Sequence, residues 1–275
     1  MDRRLTPFSG RVAHASLAGR IDAPLTQGTP AAIATPLADL LARPHGPRDR
    51  QLIQGEAVTV IDRDQDQAFV MAAKDGYCGW LDQAALGPAF TASHRVSSPK
   101  THLYSAPKAQ APDPRPLYMG ARVQVTGTQG KWATTPQGHI PACHLAPLDQ
   151  PAADPVAVAE LFLHAPYLWG GNSVGGIDCS GLAQIALHAA GIACPGDSDL
   201  QQQVGQPLAE TAALQRGDLI FWKGHVALLT GPDRIIHANG ATMSVACEDL
   251  ATAIARIQAQ GEGPPVARRR PLLPA

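Results

Sequence analysis

No apolar run in this 275-residue chain is long enough to cross a bilayer. The N-terminus, Met1-Asp2-Arg3-Arg4-Leu5-Thr6-Pro7-Phe8, has no apolar stretch behind its charges. Ser16-Leu17-Ala18-Gly19 is too short for a signal h-region and runs into Arg20 and Asp22. Neither a membrane span nor a secretory signal is expected. A basic excess is also missing: 22 Lys and Arg stand against 23 Asp and Glu, which argues against nucleic acid or an anionic membrane as partner. No C-x-x-C pair occurs. The five cysteines, Cys78, Cys143, Cys179, Cys194 and Cys247, are odd in number and scattered, so neither a disulfide framework nor a four-cysteine zinc knot is expected. A free thiol without an export signal points to the cytoplasm.

The composition, 45% hydrophobic, supplies ample core for one large domain or two to three small ones. The 26 glycines and 25 prolines favour turns and short strands. Residues 1–34 read as strand fragments or a wrapping arm, with no function assigned. Residues 35–88 read as a small barrel: Val58-Thr59-Val60-Ile61 and Ala68-Phe69-Val70-Met71 are strand-like around a turn at Asp64-Gln65-Asp66. Residues 89–148 repeat that plan. Gly55-Glu56-Ala57-Val58-Thr59-Val60 echoes Gly120-Ala121-Arg122-Val123-Gln124-Val125, and Gly76 to Leu81 echoes Gly138 to Ala142. A proline-containing linker from Pro147 to Pro155 opens the last domain, 149–275, whose first helix starts at Val156. Glu248 to Gln260 reads as a helix, and the basic tail from Val266 as an edge strand or a solvated end.

The chain is organised around Tyr167-Leu168-Trp169-Gly170-Gly171 and Gly176-Ile177-Asp178-Cys179-Ser180-Gly181. Leu182, Ile185, Ala186 and Ala189 follow at helical spacing and Gly191 closes the segment, which puts Cys179 at a helix start. Unpaired N–H groups and the helix dipole there favour a thiolate, the reactive form of cysteine. Two strands follow, one opening on His225 and one ending near His237, with Gly231-Pro232-Asp233 as the turn of a hairpin. A thiol needs a general base, and the base needs a third polar group to fix its tautomer. Cys179, His225 and His237 supply one of each.

Tyr167…Trp169-Gly170-Gly171…Asp178-Cys179-Ser180-Gly181, Arg216-Gly217-Asp218-Leu219-Ile220-Phe221, Gly224-His225-Val226 and Ile236-His237-Ala238 together resemble the NlpC-type cysteine peptidases, papain-like enzymes that cut bacterial cell-wall peptides. The resemblance covers about residues 154 to 250. It implies an α+β papain-like catalytic domain behind two small SH3-like β-barrels, a multi-domain architecture. It also implies Cys179 as nucleophile, His225 as base and His237 as the residue that orients the base, with no cofactor and no metal. The oxyanion would be met by backbone donors, foremost the N–H of Cys179.

Within the family the chain resembles the γ-D-glutamyl-L-diamino acid endopeptidases, which take a murein tripeptide, L-Ala-γ-D-Glu-diamino acid, in cell-wall peptide recycling. There the first SH3-like domain reaches into the cleft and demands a free N-terminal L-Ala. The matching positions are Glu56, Tyr77, Tyr167, Asp178, Ser180 and Ser198. An ammonium held by Glu56, Asp178 and a phenol is a charge-assisted site that a blocked peptide cannot satisfy. Five of these positions also have a plainer role: a solvated strand residue for Glu56, a barrel-core aromatic for Tyr77, a helix cap for Asp178 and Ser198, and a hydrogen bond to its own backbone for Ser180. Core packing is the expectation for Trp169. Other readings of the chain are an exported hydrolase of intact cell wall, a Cys/His zinc site and a non-catalytic binding module for cell-wall peptides. The diamino acid and the oligomeric state stay open.

Overall fold

The computed structural model describes residues 1–272. The chain divides into two units, one from Met1 to Gln150 and one from Pro151 onward.

The first unit opens on a seven-stranded antiparallel sheet. Strands form where branched and aromatic residues alternate. In Ala57–Asp64, Val58 and Val60 point into a core with Leu40, Leu52, Val70, Tyr77 and Leu81. The other face carries Ile61, Phe69, Cys78 and Trp80, with Val12 packed over them. Residues 1–28 are therefore a wrapping arm. Arg3 pairs with Asp49 at 2.6 Å and Arg11 with Asp62 at 3.1 Å. Within the arm Ala13–His14 pairs with Leu25–Thr26. The expected barrel boundary at residue 35 needs correction. The strand Thr29–Ile33 belongs to the sheet, pairing with Ala57–Asp64 on one side and Leu86–Pro88 on the other. Its sequence, Thr-Pro-Ala-Ala-Ile, hides the strand because Pro30 and two alanines carry no alternation.

Residues 93–147 build three smaller sheets. The repeat is visible in its turns. Gly55 and Gly120 both take positive φ, 80° and 89°, just before corresponding strands. Both copies end alike: Cys78–Asp82, a 3-10 turn at Gln83–Ala85 and the strand Leu86–Pro88, against Gly138–Pro141, Ala142–His144 and Leu145–Pro147.

Among the described residues the second unit has four helices: α1 (Pro155–Glu160), α2 (Cys179–Ala189), α3 (Ser198–Gln201) and α4 (Leu250–Ala259). Six strands form one antiparallel sheet: β1 (Gln206–Pro207), β2 (Leu219–Trp222), β3 (His225–Gly231), β4 (Arg234–Asn239), β5 (Ser244–Asp249) and β6 (Ala267–Arg270). Their order is β1-β6-β2-β3-β4-β5. The basic tail is thus a strand, but β1 covers it and it is not the edge. α2 packs on β3 and β4. α4 lays Ala253 and Ile257 against Ile220, Trp222, Ala227, Leu229 and Ile235.

Arg216 and Asp218 hold this unit together. Arg216 reaches Asp154 at 2.8 Å and Glu160 at 3.0 Å, at the two ends of α1, and donates to the Thr230 carbonyl. Asp218, with its side chain buried, receives Nε and Nη2 of Arg270 at 2.7 and 2.8 Å. Among the described residues no helix is long and apolar enough to cross a membrane.

Candidate active site

Cys179 is the first residue of α2, and Asp178 is its N-cap. Asp178 Oδ1 accepts from the Gly181 N–H at 2.7 Å and from the Ser180 hydroxyl at 2.9 Å, and Oδ2 accepts from the Gly170 N–H at 2.8 Å. One carboxylate therefore caps the helix and ties it to the preceding loop, since cap side chains satisfy the orphan N–H groups of a first turn. The loop presses on the helix closely. A Cβ at Gly181 would lie 2.6 Å from the Gly171 carbonyl oxygen, and one at Gly171 would lie 2.4 Å from that of Gly176. These two glycines are needed for close approach. Gln201 of α3, fully buried, braces the same turn by donating to the carbonyls of Ser180 and Pro195 at 2.9 and 3.1 Å.

The thiol is buried, 7% exposed. Burial, with the charge of Asp178 beside it, pushes Cys179 up to about 12. The backbone N–H groups of Val226, Ser180 and Cys179 pull the other way and do not win. Burial thus works against the expected thiolate, and desolvation opposes the helix dipole, whose effect is small beside full burial. The Val226 donor also places the sulfur against the residue that follows His225.

β3 and β4 form the expected hairpin, with a register shift between Leu229 and Gly231. It brings Nε2 of His225 to 2.8 Å from Nδ1 of His237. Burial pushes both imidazoles well below their ordinary range. His225 also packs on the Trp222 ring, centroids 5.7 Å apart. Beyond His237 stands a residue the sequence did not single out. Glu248 Oε2 lies 3.1 Å from Nε2 of His237, and Arg256 grips the same carboxylate at 3.0 and 2.7 Å. Glu248 belongs to β5, and α4 starts two residues later, with Asp249 as its cap. The acidic pair Glu248-Asp249 reads as a helix start, which hid the strand. The alternation of Val245 inward with Ala246 and Glu248 on the other side of β5 was the signal available.

Tyr167 is half-buried, and its phenol is pushed up to about 12 by burial first, with Cys179 and the Asp178 carboxylate beside it adding to the shift. It stands with the nucleophile. Ser180 spends its hydroxyl on Asp178. Ser198 is buried and lies inside α3, so the cap position falls to Asp197 rather than to Ser198. Trp169 is 69% exposed, which corrects the expectation of core packing. The structure gives Glu56 and Tyr77 partners within the first barrel. Glu56 pairs with Lys74 at 2.5 Å and accepts from the Ile53 N–H. Tyr77 is in the barrel core beneath the Arg50 guanidinium, 5.0 Å from its ring centroid. No group of three or more His, Cys, Asp or Glu among the described residues is arranged to hold a metal ion.

This arrangement can carry out nucleophilic acyl transfer: a thiol at a helix start, held by the N–H of the residue after His225, and a second imidazole in contact with the first. Residues 164–259 match the NlpC/P60 family, and residues 40–86 match the bacterial dipeptidyl-peptidase Sh3 domain. The second unit is a cysteine peptidase domain of the NlpC/P60 family, and an SH3-like domain of the dipeptidyl-peptidase type precedes it. Over 231 residues the chain is 29% identical to the "Gamma-D-glutamyl-L-lysine dipeptidyl-peptidase" of Bacillus cereus (strain ATCC 10987 / NRS 248), covering 72% of this chain and 69% of that one. Over 86 residues it is 40% identical to "Dipeptidyl-peptidase 6" of Lysinibacillus sphaericus, 30% of this chain and 31% of that one. The fold superposes on the crystal structure of an NlpC/P60 family protein from Bacillus cereus ATCC 10987 with a TM-score of 0.76 and 24% identity, over 90% of this chain and all of that one.

Proposed function

We propose that the protein is a cysteine endopeptidase that hydrolyses the γ-D-Glu–diamino acid amide bond of murein-derived peptides with a free N-terminal L-Ala, in the recycling of cell-wall peptides in the cytoplasm. The contact of 2.8 Å between His225 and His237, with the Val226 N–H on the Cys179 sulfur, carries the chemical part. The substrate class is supported by the relative named for γ-D-glutamyl-L-lysine cleavage.

The steps follow from the resting charges. The thiol is neutral and His225 is neutral, so the sulfur gives its proton to His225 as it attacks the carbonyl carbon. The C–N bond breaks when the imidazolium returns that proton to the leaving amine. Water, deprotonated by the same ring, then cleaves the thioester. Tyr167, Asp178, Ser180 and Ser198 are assigned as the substrate-binding residues of the second unit, and Glu56 and Tyr77 as those of the first.

Mass spectrometry of L-Ala-γ-D-Glu-meso-diaminopimelate, its lysine counterpart and the N-acetylated forms tests the reading. Release of L-Ala-D-Glu from the free peptides alone is expected, with no product from Cys179→Ala. Equal cleavage of the acetylated forms would remove the amino-end requirement. Cleavage of intact sacculi in place of free peptide would replace recycling with wall hydrolysis, and cell fractionation would then place the protein outside the cytoplasm.

A further inference from the structure

His237 is held from both sides. Nδ1 faces Nε2 of His225 at 2.8 Å, and Nε2 faces Glu248 at 3.1 Å. The strand register makes this contact a built one. His237 stands opposite Ala246 across the β4/β5 pair, and Ile235 opposite Glu248. Residues two apart on a strand share a face, so Glu248 is the diagonal neighbour of His237 on the face where Ile235 also points. Arg256, on α4, then closes on both oxygens of Glu248. The hydrogen bonds from Arg256 hold the Glu248 carboxyl below the usual range, so it is ionised at neutral pH. An ionised carboxylate only accepts hydrogen bonds.

The consequence runs along the chain of contacts. Because Glu248 can only accept, Nε2 of His237 carries the proton and Nδ1 carries the lone pair. Because Nδ1 of His237 is then an acceptor, Nε2 of His225 must donate to it. That leaves Nδ1 of His225 as the one basic nitrogen of the ring. An amide or a second neutral imidazole at position 237 has no such fixed polarity unless something behind it sets one.

We propose that Glu248, anchored by Arg256, is a positioning residue that fixes the Nε2–H tautomer of His237 and, through it, that of His225. The inference rests on the peptidase reading of Cys179, His225 and His237 but not on the choice of substrate. Glu248→Gln keeps shape and removes the constraint, because an amide both donates and accepts and can hold His237 in either tautomer. Losing the partner that orients a metal-bound imidazole lowers affinity or activity on the order of 10- to 100-fold, and an effect of that order is expected for the orienting partner here.

Long-range 1H–15N spectra of histidine-labelled full-length protein near neutral pH test the tautomers directly, without substrate. The wild type should show Nε2–H on both His225 and His237, and Nδ1–H on His237 in the wild type would overturn the proposal. Glu248→Gln should give mixed tautomers on His237 and lower kcat by about 10-fold or more with KM unchanged. Glu248→Asp, which keeps a carboxylate, should retain the single tautomer and recover part of kcat. A single Nε2–H tautomer and full kcat in Glu248→Gln would also overturn it. Failure to cleave any murein peptide would refute the proposed substrate while leaving the spectra to decide on Glu248.

Discussion

Asp218 presents both carboxylate oxygens to Arg270, 52 residues further along the chain, at 2.7 and 2.8 Å. The acid is buried, while the guanidinium is 29% exposed. Removing one partner of such a pair leaves the other charge without its counterpart. Arg270→Ala is therefore expected to lower the urea midpoint with an unchanged m-value. An unchanged midpoint would show that the pair contributes nothing net.

Gly181→Ala tests the turn beneath the nucleophile. The added methyl would meet the Gly171 carbonyl oxygen at 2.6 Å and Asn172 Oδ1 at 2.7 Å. Backbone cannot give way cheaply there, and overpacking of this kind costs about 1–3 kcal/mol. We expect a lowered melting temperature together with a fall in kcat, because the strain is relieved by shifting the turn that carries Cys179. Wild-type kcat in the folded variant would show that the turn is not tightly placed.

The protonation of Cys179 gives a third test. With its thiol pushed up to about 12, it stays protonated across the neutral range. Alkylation by iodoacetamide should therefore rise steadily with pH from 6 to 9 and show no plateau, and the thiolate absorbance near 240 nm assigned by difference against Cys179→Ala should be absent at pH 7. A flat rate at pH 6–7 would mean a resting ion pair with His225.

His225→Ala should lower kcat by about 10²- to 10⁴-fold, the usual contribution of a positioned acid–base group. His237→Ala should cost less, since it removes orientation and not the base itself. Steady-state kinetics on the released dipeptide reads both. Equal losses would make the two rings a single unit rather than base and support.

The three central residues were legible because chemistry fixes their types and the fold fixes their spacing. Cys179 had to follow a glycine loop and open a helix, and the two histidines had to lie on a hairpin. The partial repeat in residues 93–147 was legible through Gly55 and Gly120, whose positive φ leaves a mark in sequence that a worn hydrophobic pattern does not. Other features left no such mark. Thr29–Ile33 is a sheet strand with almost no β signal of its own, held by its neighbours on both sides. Glu248 was invisible because its role depends on which residue of β4 stands across from it, which only pairing reveals. The burial that opposes ionisation of Cys179 was not legible, because the helix start is written in the sequence and the depth of burial is not.

β6 enters the sheet between β1 and β2, although it follows the sheet's other five strands in sequence. During synthesis on the ribosome residues 267–270 emerge after the nucleophile helix and the histidine hairpin are already available to fold. Until they arrive, β2 has an open edge and Asp218 has no Arg270. The second unit should therefore stay incompletely folded, and exposed to chaperones or to other unpaired strands, until residues 267–270 have emerged.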